Sequence, residues 1–172
     1  VSFISNHSWV SDPSFVVLRQ HLLHSFDYFW IENMHGNRKI SEYAPDGATS
    51  ETIFAIPGFS AGIQQGVAVS LWVKTGEQVA PDQKKVFFRD DLNEARAVNR
   101  RAHLLESLND EDFESHYEEA HADKTNRYSF RPSDVAAHYQ EWPRLPDLCA
   151  DQPSNGLMEK RAGALIDIDH TA

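Results

Sequence analysis

The sequence predicts an α/β domain in which a helix follows the first strand and further strands complete the sheet. A β-favouring run at the start of the chain leads into a helix signal at Ser11-Asp12-Pro13. Apolar residues then recur at spacings of three and four, and residues 67–73 (VAVSLWV) form an apolar run of strand length. This order of elements is typical of one half of an α/β sheet with a hairpin edge.

Polar and glycine-rich segments separate the elements predicted in the first part of the chain. Residues 1–10 are rich in β-favouring side chains and predict a strand. The helix begins near Pro13 and ends near Ser25, and its apolar stripe consists of Phe15, Leu18, Leu22 and Phe26. Further strands are predicted at residues 28–34, 51–56, 67–73 and 86–88, with loops at residues 41–50 and 57–66.

Residues 91–172 are predicted to form a mainly helical and irregular extension. Asp91-Leu92-Asn93-Glu94 has the pattern of a capping box and predicts a helix that runs to about residue 108. The predicted apolar stripe of this helix consists of Ala95, Val98, Ala102 and Leu105. Prolines punctuate the chain beyond residue 130, and residues 165–168 (LIDI) predict a last short strand. We therefore place a boundary near residue 90.

Charge is distributed unevenly along the chain. The net charge is −10, of which residues 1–90 contribute −2 (7 Lys and Arg against 9 Asp and Glu) and residues 91–172 contribute −8 (9 against 17). Residues 106–123 hold 8 acidic residues and no Lys or Arg. We expect this run to be a solvated surface turned away from any nucleic acid. The first part could still contact phosphate through Arg38 and Lys39, or through Lys84 and Lys85.

The composition favours a folded protein without membrane spans. Hydrophobic residues make up 41% of the chain and include 10 Phe, which is enough to build a core. No stretch approaches the ~20 apolar residues that a membrane span requires. The single Cys149 excludes an intramolecular disulfide and is typical of a reducing compartment. We expect a soluble, cytoplasmic protein.

Five short motifs, taken in order, resemble the N6-adenine-specific DNA methyltransferases. They are VSFISNHSW at residues 1–9, VLRQHL at 17–22, FDYFWIENMHGNRK at 26–39, ETIF at 51–54 and QQGVAVSLWVK at 64–74. Their order and spacing carry the resemblance, which is firmest over residues 1–75. The members that resemble this chain are those fused into single-chain type II or type ISP restriction–modification enzymes. The later segments FRPSDVAAHY and NGLMEKRAGALIDID resemble the connector towards the target-recognition region of that family.

The resemblance implies a fold, a reaction and a target. The fold would be the C-terminal half of a Rossmann-like methyltransferase sheet, with residues 1–90 in the catalytic domain and residues 91–172 as the connector. The reaction would transfer a methyl group from S-adenosylmethionine to the N6 atom of adenine in double-stranded DNA. Such an enzyme flips its target base and holds it by stacking, and the family pattern places the stacking aromatic at Phe54. Alternatively, Phe54 is an ordinary core residue.

Further site residues are expected at the end of the first strand and in the turn after the second. The residues after the first strand occupy the position where ligands gather in open α/β sheets and would line the pocket, or would merely cap the next helix. Arg38 and Lys39 would contact DNA phosphate, or would be ordinary solvated residues. The pocket-lining candidates are Ser5, Asn6, His7 and Trp9.

Two features that this family requires do not occur in the sequence. One is a Gly-rich turn that follows a strand and holds S-adenosylmethionine. The other is a polar-Pro-Pro-aromatic loop for the target amino group, and the chain contains no Pro-Pro pair. Asp12-Pro13-Ser14-Phe15 has some likeness to this loop, but a helix start explains it fully. We therefore expect a piece of a longer polypeptide that carries its catalytic residues before Val1. This piece alone should neither bind the cofactor nor methylate DNA.

Other kinds of function remain open. His116 and His121, with acidic residues between them, could indicate a metal site. A zinc-binding helix places its two histidines four residues apart rather than five, so we favour a solvated acidic helix and expect no metal. The chain could also be a non-catalytic α/β module that binds DNA or protein, or a small-molecule enzyme unrelated to DNA.

Overall fold

The computed structural model describes residues 1–55, 63–76, 79–80, 83–133, 137–143 and 145–148. The chain divides into two compact units, Val1–Ser133 and Asp134–Ala172. The second unit contains a short 3-10 segment, Ala137–Glu141, and a one-turn helix, α3 (Leu145–Leu148). The strand predicted at residues 165–168 lies outside the described residues. The functional boundary near residue 90 stays a prediction.

A five-stranded mixed sheet forms the centre of the first unit, and it confirms the α/β class. The strands stand in the order β1-β3-β2-β4-β5. Strand β3 is antiparallel to both β1 and β2, β4 is parallel to β2, and β5 pairs antiparallel with β4 at one edge. Consequently β1, β2 and β4 run in the same direction. The strands are β1 (Ser2–Asn6), β2 (Tyr28–Asn33), β3 (Val67–Val73), β4 (Lys85–Arg89) and β5 (Glu118–Ala120).

The first helix forms where the sequence predicts it, but the first strand is shorter than predicted. Strand β1 ends at Asn6 because the Asn6 side chain caps a 3-10 turn, His7–Val10, by accepting a hydrogen bond from the Ser8 N–H (2.8 Å). Asp12 similarly accepts from the Ser14 N–H (2.8 Å) and opens the 3-10 turn Pro13–Phe15. Helix α1 (Val16–Ser25) follows directly.

The predicted strand at residues 51–56 is wrong for its described part, residues 51–55. The backbone N–H of Glu51 donates to the carbonyl of Ala95 (2.8 Å), and that of Ala55 donates to the carbonyl of Thr52 (2.9 Å). These bonds form a turn and tie the segment to the chain before the second helix, so they replace the ladder that a strand would make. We refer to residues 50–55 as the Phe54 segment.

The predicted capping box at residues 91–94 is also wrong. Helix α2 (Ala97–Ser107) begins three residues after the end of this predicted box. The side chain of its N-cap residue, Arg96, makes no capping hydrogen bond. Instead, the carboxylate of Glu51 accepts a hydrogen bond from the Ala97 N–H (3.1 Å). The N-terminal end of α2 is thus satisfied from the Phe54 segment, by a residue about 46 positions away in the sequence.

The buried side of α2 differs from the predicted apolar stripe. Val98 and Leu105 are 61% and 63% exposed. The buried residues are Ala97, Arg100 and Ser107. The helix is rotated relative to the predicted orientation because Arg100 is directed inwards to bind backbone carbonyls. The spacing of apolar residues cannot indicate a buried face that is formed by a polar side chain.

An aromatic core covers one face of the sheet. Trp9 contacts Trp72 and Phe130 edge to face, with ring centroids 5.5 Å and 5.8 Å apart. The opposite face near β1 is less covered: Ile4 is 58% and Leu71 is 43% exposed. If β1 is an interior strand of a longer polypeptide, both Phe3 and Ile4 should be poorly covered. This holds for Ile4, but Phe3 is half-buried and packs against Trp72, with ring centroids 4.5 Å apart. The core cluster consists of Trp9, Val10, Leu22, Phe29, Ile31, Ala68, Val86, Phe88, Ala120 and Phe130.

The acidic run at residues 106–123 lies mostly on the surface, as predicted, but it is not a helix. It contains a 3-10 segment, Phe113–His116, and the edge strand β5. His116 lies between two carboxylates, with Nδ1 2.6 Å from Asp91 and Nε2 2.8 Å from Asp110. Among the described residues, no group of three or more His, Cys, Asp or Glu could hold a metal ion. No helix in the described part of the chain is long and apolar enough to cross a membrane.

Arg19 joins α1 to two loops through backbone carbonyls, and its side chain is fully buried. Its guanidinium donates to the carbonyls of Trp9, Asp12, Arg127 and Tyr128 at 2.9 to 3.0 Å. Replacing Arg19 with Met would leave these four acceptors without their donor. We expect Arg19→Met to lower the free energy of unfolding by about 2 to 4 kcal/mol, measured by urea denaturation of the 172-residue chain.

The matched control is Arg127→Met, because the Arg127 side chain is exposed and surface substitutions change stability by about 0.5 kcal/mol or less. If Arg19→Met changed the unfolding free energy no more than Arg127→Met does, the four carbonyl contacts would not be stabilising.

Candidate functional site at the carboxyl ends of the parallel strands

The carboxyl ends of β1, β2 and β4 lie at the same edge of the sheet because these three strands run in the same direction. Ligands of open α/β sheets gather at this edge. The strands end there at Asn6, Asn33 and Arg89. The candidate site is therefore built from the loops that leave this edge, and the Phe54 segment belongs to the longest of them.

A hydrogen-bonded polar cluster fills the edge between β2 and β4. The side-chain amide of Asn33 donates to Asp90 (2.7 Å), and the His35 ring contacts Glu42 through Nδ1 (2.7 Å). Arg131 donates to the other carboxylate oxygen of Asp90 (2.9 Å). Burial opposes ionisation of Glu42, but hydrogen bonds from the His35 ring and the Asn37 N–H outweigh it and lower the pKa of that carboxyl. The cluster holds Glu42 ionised and fixes the turn after β2.

The turn after β2 is pressed against the Phe54 segment. His35 and Gly36 both have positive φ angles, 50° and 82°. A Cβ atom at Gly36 would lie 2.5 Å from Cα of Thr52, so only glycine permits this approach. The close contact brings residues 51–54 to the carboxyl edge of the sheet.

Ser5, Asn6 and Trp9 line a largely apolar cavity of about 360 Å³ beside β1. Trp9 is mostly a core residue, at 6% exposure, and its indole N–H donates to the Ser5 hydroxyl (2.9 Å). Asn6 caps the following turn and also donates to the side chain of Gln65 (2.5 Å). Asn6 therefore caps the next segment and lines this cavity, whereas its role in a substrate pocket stays a prediction. The cavity is lined by Phe3, Ser5, Asn6, Ser8, Trp9, Phe15, Leu18 and Trp72.

His7 lies apart from this cavity, beneath the polar cluster. Burial, followed by the nearby charge of Arg131, lowers its pKa to about 4, so the ring is neutral at pH 7. Its Nε2 atom has no hydrogen-bond partner among the described residues, and neither has Oδ1 of Asn37 or Oγ1 of Thr52. His7 and Asn37 flank Gly66, and Thr52 packs against Gly36. Three buried polar atoms near this edge are therefore left unsatisfied by the described residues.

Phe54 is 47% exposed and does not belong to the core. The alternative interpretation of Phe54 as a core residue is therefore wrong, whereas its stacking role stays a prediction. Its neighbour Ile53 packs against a small apolar cluster of Met34, Val67 and Leu92. The segment is thus anchored through Ile53, and the Phe54 ring is partly presented to solvent at the carboxyl edge.

The predicted cations differ in their availability for phosphate. Arg38 and Lys39 lie on an exposed 3-10 turn, Arg38–Ile40, and neither side chain makes a hydrogen bond or ion pair with another described residue. By contrast, Lys84 binds the carbonyl of Leu23 at the end of α1, and Lys85 pairs with Glu119 (3.1 Å). The suggestion that Lys84 and Lys85 contact phosphate is therefore disfavoured.

Sequence reasoning missed three arginines of one short segment that contact the Phe54 segment. Arg96 pairs with Glu51 (2.5 Å), Arg100 binds the Glu51 carbonyl, and Arg101 binds the Ile53 carbonyl (2.7 Å). The only available signal was the density of arginines at residues 96–101 (RAVNRR). Nothing in that pattern indicates partners some fifty residues earlier.

Comparisons with known proteins find similar folds but no sequence family. No family model and no curated protein matches the chain. The ATP-dependent type ISP restriction–modification enzyme LlaBIII, bound to DNA, is similar with a TM-score of 0.54 and 17% identity over 77% of this chain. A nuclease-deletion mutant of the type ISP enzyme LlaGI, in complex with a DNA substrate mimic, has a TM-score of 0.54 and 21% identity over 74%.

A third similar structure is the DrdV–DNA complex, with a TM-score of 0.52 and 22% identity over 74% of this chain. The chain spans only 8%, 9% and 11% of the LlaBIII, LlaGI and DrdV chains, respectively. At these identities the likeness concerns the fold alone. The chain therefore shares its fold with one segment of each of these much longer proteins.

The neutral His7 predicts a specific acid sensitivity. Its folded-state pKa of about 4 lies below the ordinary value of 6.5, so the unfolded chain binds the proton more tightly between these two pH values. Stability should therefore fall as the pH drops through this window. Between pH 7 and pH 4, we expect the free energy of unfolding of the wild-type chain to fall by about 3 kcal/mol more than that of His7→Gln. The measurement is urea unfolding at each pH.

The relevant quantity is the difference between the two stability curves, since other groups titrate equally in both chains. Parallel curves for the wild type and His7→Gln would show that His7 is not held neutral by its surroundings.

Proposed function

We propose that this chain is part of a site-specific DNA adenine-N6 methyltransferase within a restriction–modification enzyme. It would supply the side of the catalytic domain that holds the target base. The fold shared with segments of LlaBIII and LlaGI supports this proposal, as does the ordered set of sequence motifs. Double-stranded DNA would be the partner, and the longer polypeptide would act in the cytoplasm.

The single observation that carries the proposal is the exposure of Phe54 at the carboxyl edge. Phe54 is 47% exposed and lies outside the core. Full burial of a phenylalanine side chain would stabilise the fold by about 2 kcal/mol, so its exposed position gives up part of this stabilisation. Its segment is nevertheless held firmly by hydrogen bonds to α2. A rigidly supported, exposed aromatic ring suits stacking on a nucleobase, which is worth about 1 to 3 kcal/mol per base. This gain would offset part of the cost of unstacking the target adenine.

The loops around Phe54 would bind the DNA backbone and the flipped base. Arg38 and Lys39 lie just beyond the turn at Gly36, which contacts the Phe54 segment, and would neutralise phosphates near the target base. Ser5, Asn6 and Trp9 line the cavity beside β1, whereas the neutral His7 lies apart from it next to Gly66 and Asn37; we propose that both regions contribute to the target-base side. The acidic surface at residues 106–123 would face away from the DNA.

We propose that S-adenosylmethionine does not bind to the turn after β2. A cofactor loop needs a glycine whose missing side chain leaves room for the ligand. In the turn after β2, the space beside Gly36 is instead occupied by the backbone of Thr52. No step of methyl transfer is therefore assigned to these residues, and we propose that the cofactor-binding and catalytic loops lie elsewhere in the longer polypeptide.

The open side of β1 is consistent with such a longer polypeptide. Among the described strands β1 pairs only with β3, and its neighbourhood exposes Ile4 and Leu71 on one face. The apolar cavity next to Phe15 and Trp72 lies on the other face. Exposed strand edges with apolar flanks are normally covered in natural proteins. We propose that a further strand of the same polypeptide pairs with β1.

The same open edge favours the alternative of a non-catalytic module that binds a protein or DNA. In that case a partner strand would add to β1, and no methyl transfer would depend on Phe54. The two functions are separated by whether DNA modification by the full-length polypeptide depends on the Phe54 side chain.

Replacing Phe54 with Ala should remove the stacking surface and leave the fold intact, because the ring is half-exposed. We expect Phe54→Ala in the full-length polypeptide to slow methylation of adenine by about 10- to 100-fold. The measurement is transfer of a tritiated methyl group from S-adenosylmethionine to a DNA duplex. Phe54→Trp is the matched control and should retain most of the activity because it preserves a stacking face.

Unchanged methylation by Phe54→Ala would remove the stacking role. Absence of any methyl transfer by the wild-type full-length polypeptide, on DNA of varied sequence, would favour the non-catalytic module.

A further inference from the structure

The Phe54 segment has few backbone hydrogen bonds of its own. Two of them are the bond from the Glu51 N–H to the Ala95 carbonyl and the turn bond between Ala55 and Thr52. Neither involves the peptide group between Ile53 and Phe54. That peptide group is fixed from outside the segment, by a side chain of α2.

The guanidinium of Arg101 donates to the carbonyl oxygen of Ile53 at 2.7 Å. Because a peptide unit is planar, the carbonyl of Ile53 lies in one plane with the nitrogen and Cα atoms of Phe54. A bond that orients this carbonyl therefore fixes the N–Cα bond of Phe54, and the turn bond from the Ala55 N–H to the Thr52 carbonyl (2.9 Å) restricts rotation about it. Together they set the direction in which the Phe54 side chain leaves the backbone. No other residue of α2 contacts this peptide group in the described hydrogen bonds.

Arg101 and its neighbour Arg100 differ in burial and in the number of groups that they bind. Substitutions at the two positions can therefore distinguish an effect on positioning from an effect on folding. Arg100 is fully buried and binds Ser50, Glu51, Leu92 and Glu94. Arg101 is exposed, and among the described residues its side chain donates a hydrogen bond only to Ile53. Loss of Arg100 would disrupt the core of the loop, whereas loss of Arg101 would release one peptide plane at the surface.

We propose that Arg101 is a positioning residue that orients Phe54 for stacking on the target base. This inference rests on the proposed function, because it assigns to α2 the task of presenting the stacking ring. It also gives the connector region a role in the catalytic domain: a helix that the sequence places beyond residue 90 would control a residue before it. Arg101 would act through Phe54 and would not itself touch the base.

The test compares variants at position 101 in the full-length polypeptide. Arg101→Met removes the donor, Arg101→Gln retains a donor without the charge, and Arg101→Lys retains both. The readouts are kcat and KM for DNA methylation, and the fluorescence rise of 2-aminopurine placed at the target adenine, which reports base flipping. Arg127→Met is the matched control, since it removes one exposed arginine from a loop distant in sequence.

We expect Arg101→Met to lower kcat and the fluorescence rise by about 3- to 10-fold, the range for loss of one hydrogen bond. KM for DNA should change by about twofold or less. Arg101→Gln and Arg101→Lys should recover at least half of the wild-type signal, and Arg127→Met should match the wild type. If Arg101→Met fails to fold, Arg101→Ala takes its place, since it also removes the donor and favours the helix, and the same loss of kcat relative to Arg101→Gln is expected.

Two results would overturn the inference while leaving the proposed function in place. One is wild-type kcat and fluorescence for Arg101→Met together with a clear loss for Phe54→Ala. The other is a raised KM in both Arg101→Met and Arg101→Gln with unchanged kcat, since this would indicate that only the charge matters. If Phe54→Ala itself has no effect, the stacking role and the Arg101 inference both fall.

Discussion

Three buried arginines hold the loops of this domain to its helices and sheet. Arg19, Arg89 and Arg100 are each fully buried. Arg19 and Arg100 bind mostly backbone carbonyls, whereas Arg89 binds Asp91 (2.6 Å) and the Ser107 hydroxyl (2.9 Å). Burying a guanidinium is costly unless its donors are satisfied. Each of these side chains therefore requires its partner loop in one conformation, and the loops in turn depend on the arginine.

This constraint explains how an irregular segment can hold an exposed ring in a fixed place, as the proposed stacking role of Phe54 requires. The sheet places the carboxyl ends of β1, β2 and β4 at one edge, but the sheet alone does not determine where residues 50–55 go. Arg100 anchors the start of that segment from inside, Ile53 packs against the apolar cluster beneath it, and Arg101 fixes the peptide before Phe54. The exposed ring is thus held by three contacts of different kinds. The acidic residues of the edge strand β5 lie far from this segment in the sequence.

Local patterns were sufficient for most of the regular elements, although not for the edge strand β5. Helix α1 and strands β2, β3 and β4 follow from apolar runs and a helix-capping signal, because neighbouring residues determine them. The elements that failed depend on distant partners. Residues 51–55 have strand-like side chains, but their backbone bonds go to Ala95 and within a turn. Glu51 caps α2 in place of the predicted capping box.

The same reasoning separates the site residues. Asn6 and Arg38 could be placed from the strand ends and turns that carry them. The burial of Arg100 and the contact of Arg101 with Ile53 could not, because an arginine in an exposed-looking helix gives no sign that backbone carbonyls fifty residues earlier are its acceptors. The exposure of Phe54 is a result of those contacts, so it also could not be predicted from sequence alone.

The central claim is that the Phe54 ring stacks on the target base of DNA. Photo-crosslinking tests it most directly, with the full-length polypeptide bound to a duplex that carries 8-azidoadenine at the methylated position. If Phe54 stacks on the target base, mass spectrometry should find the crosslink in the peptide containing Phe54. The same analogue at a neighbouring adenine should give no crosslink in that peptide. Crosslinks confined to other peptides, or equal at both positions, would contradict it.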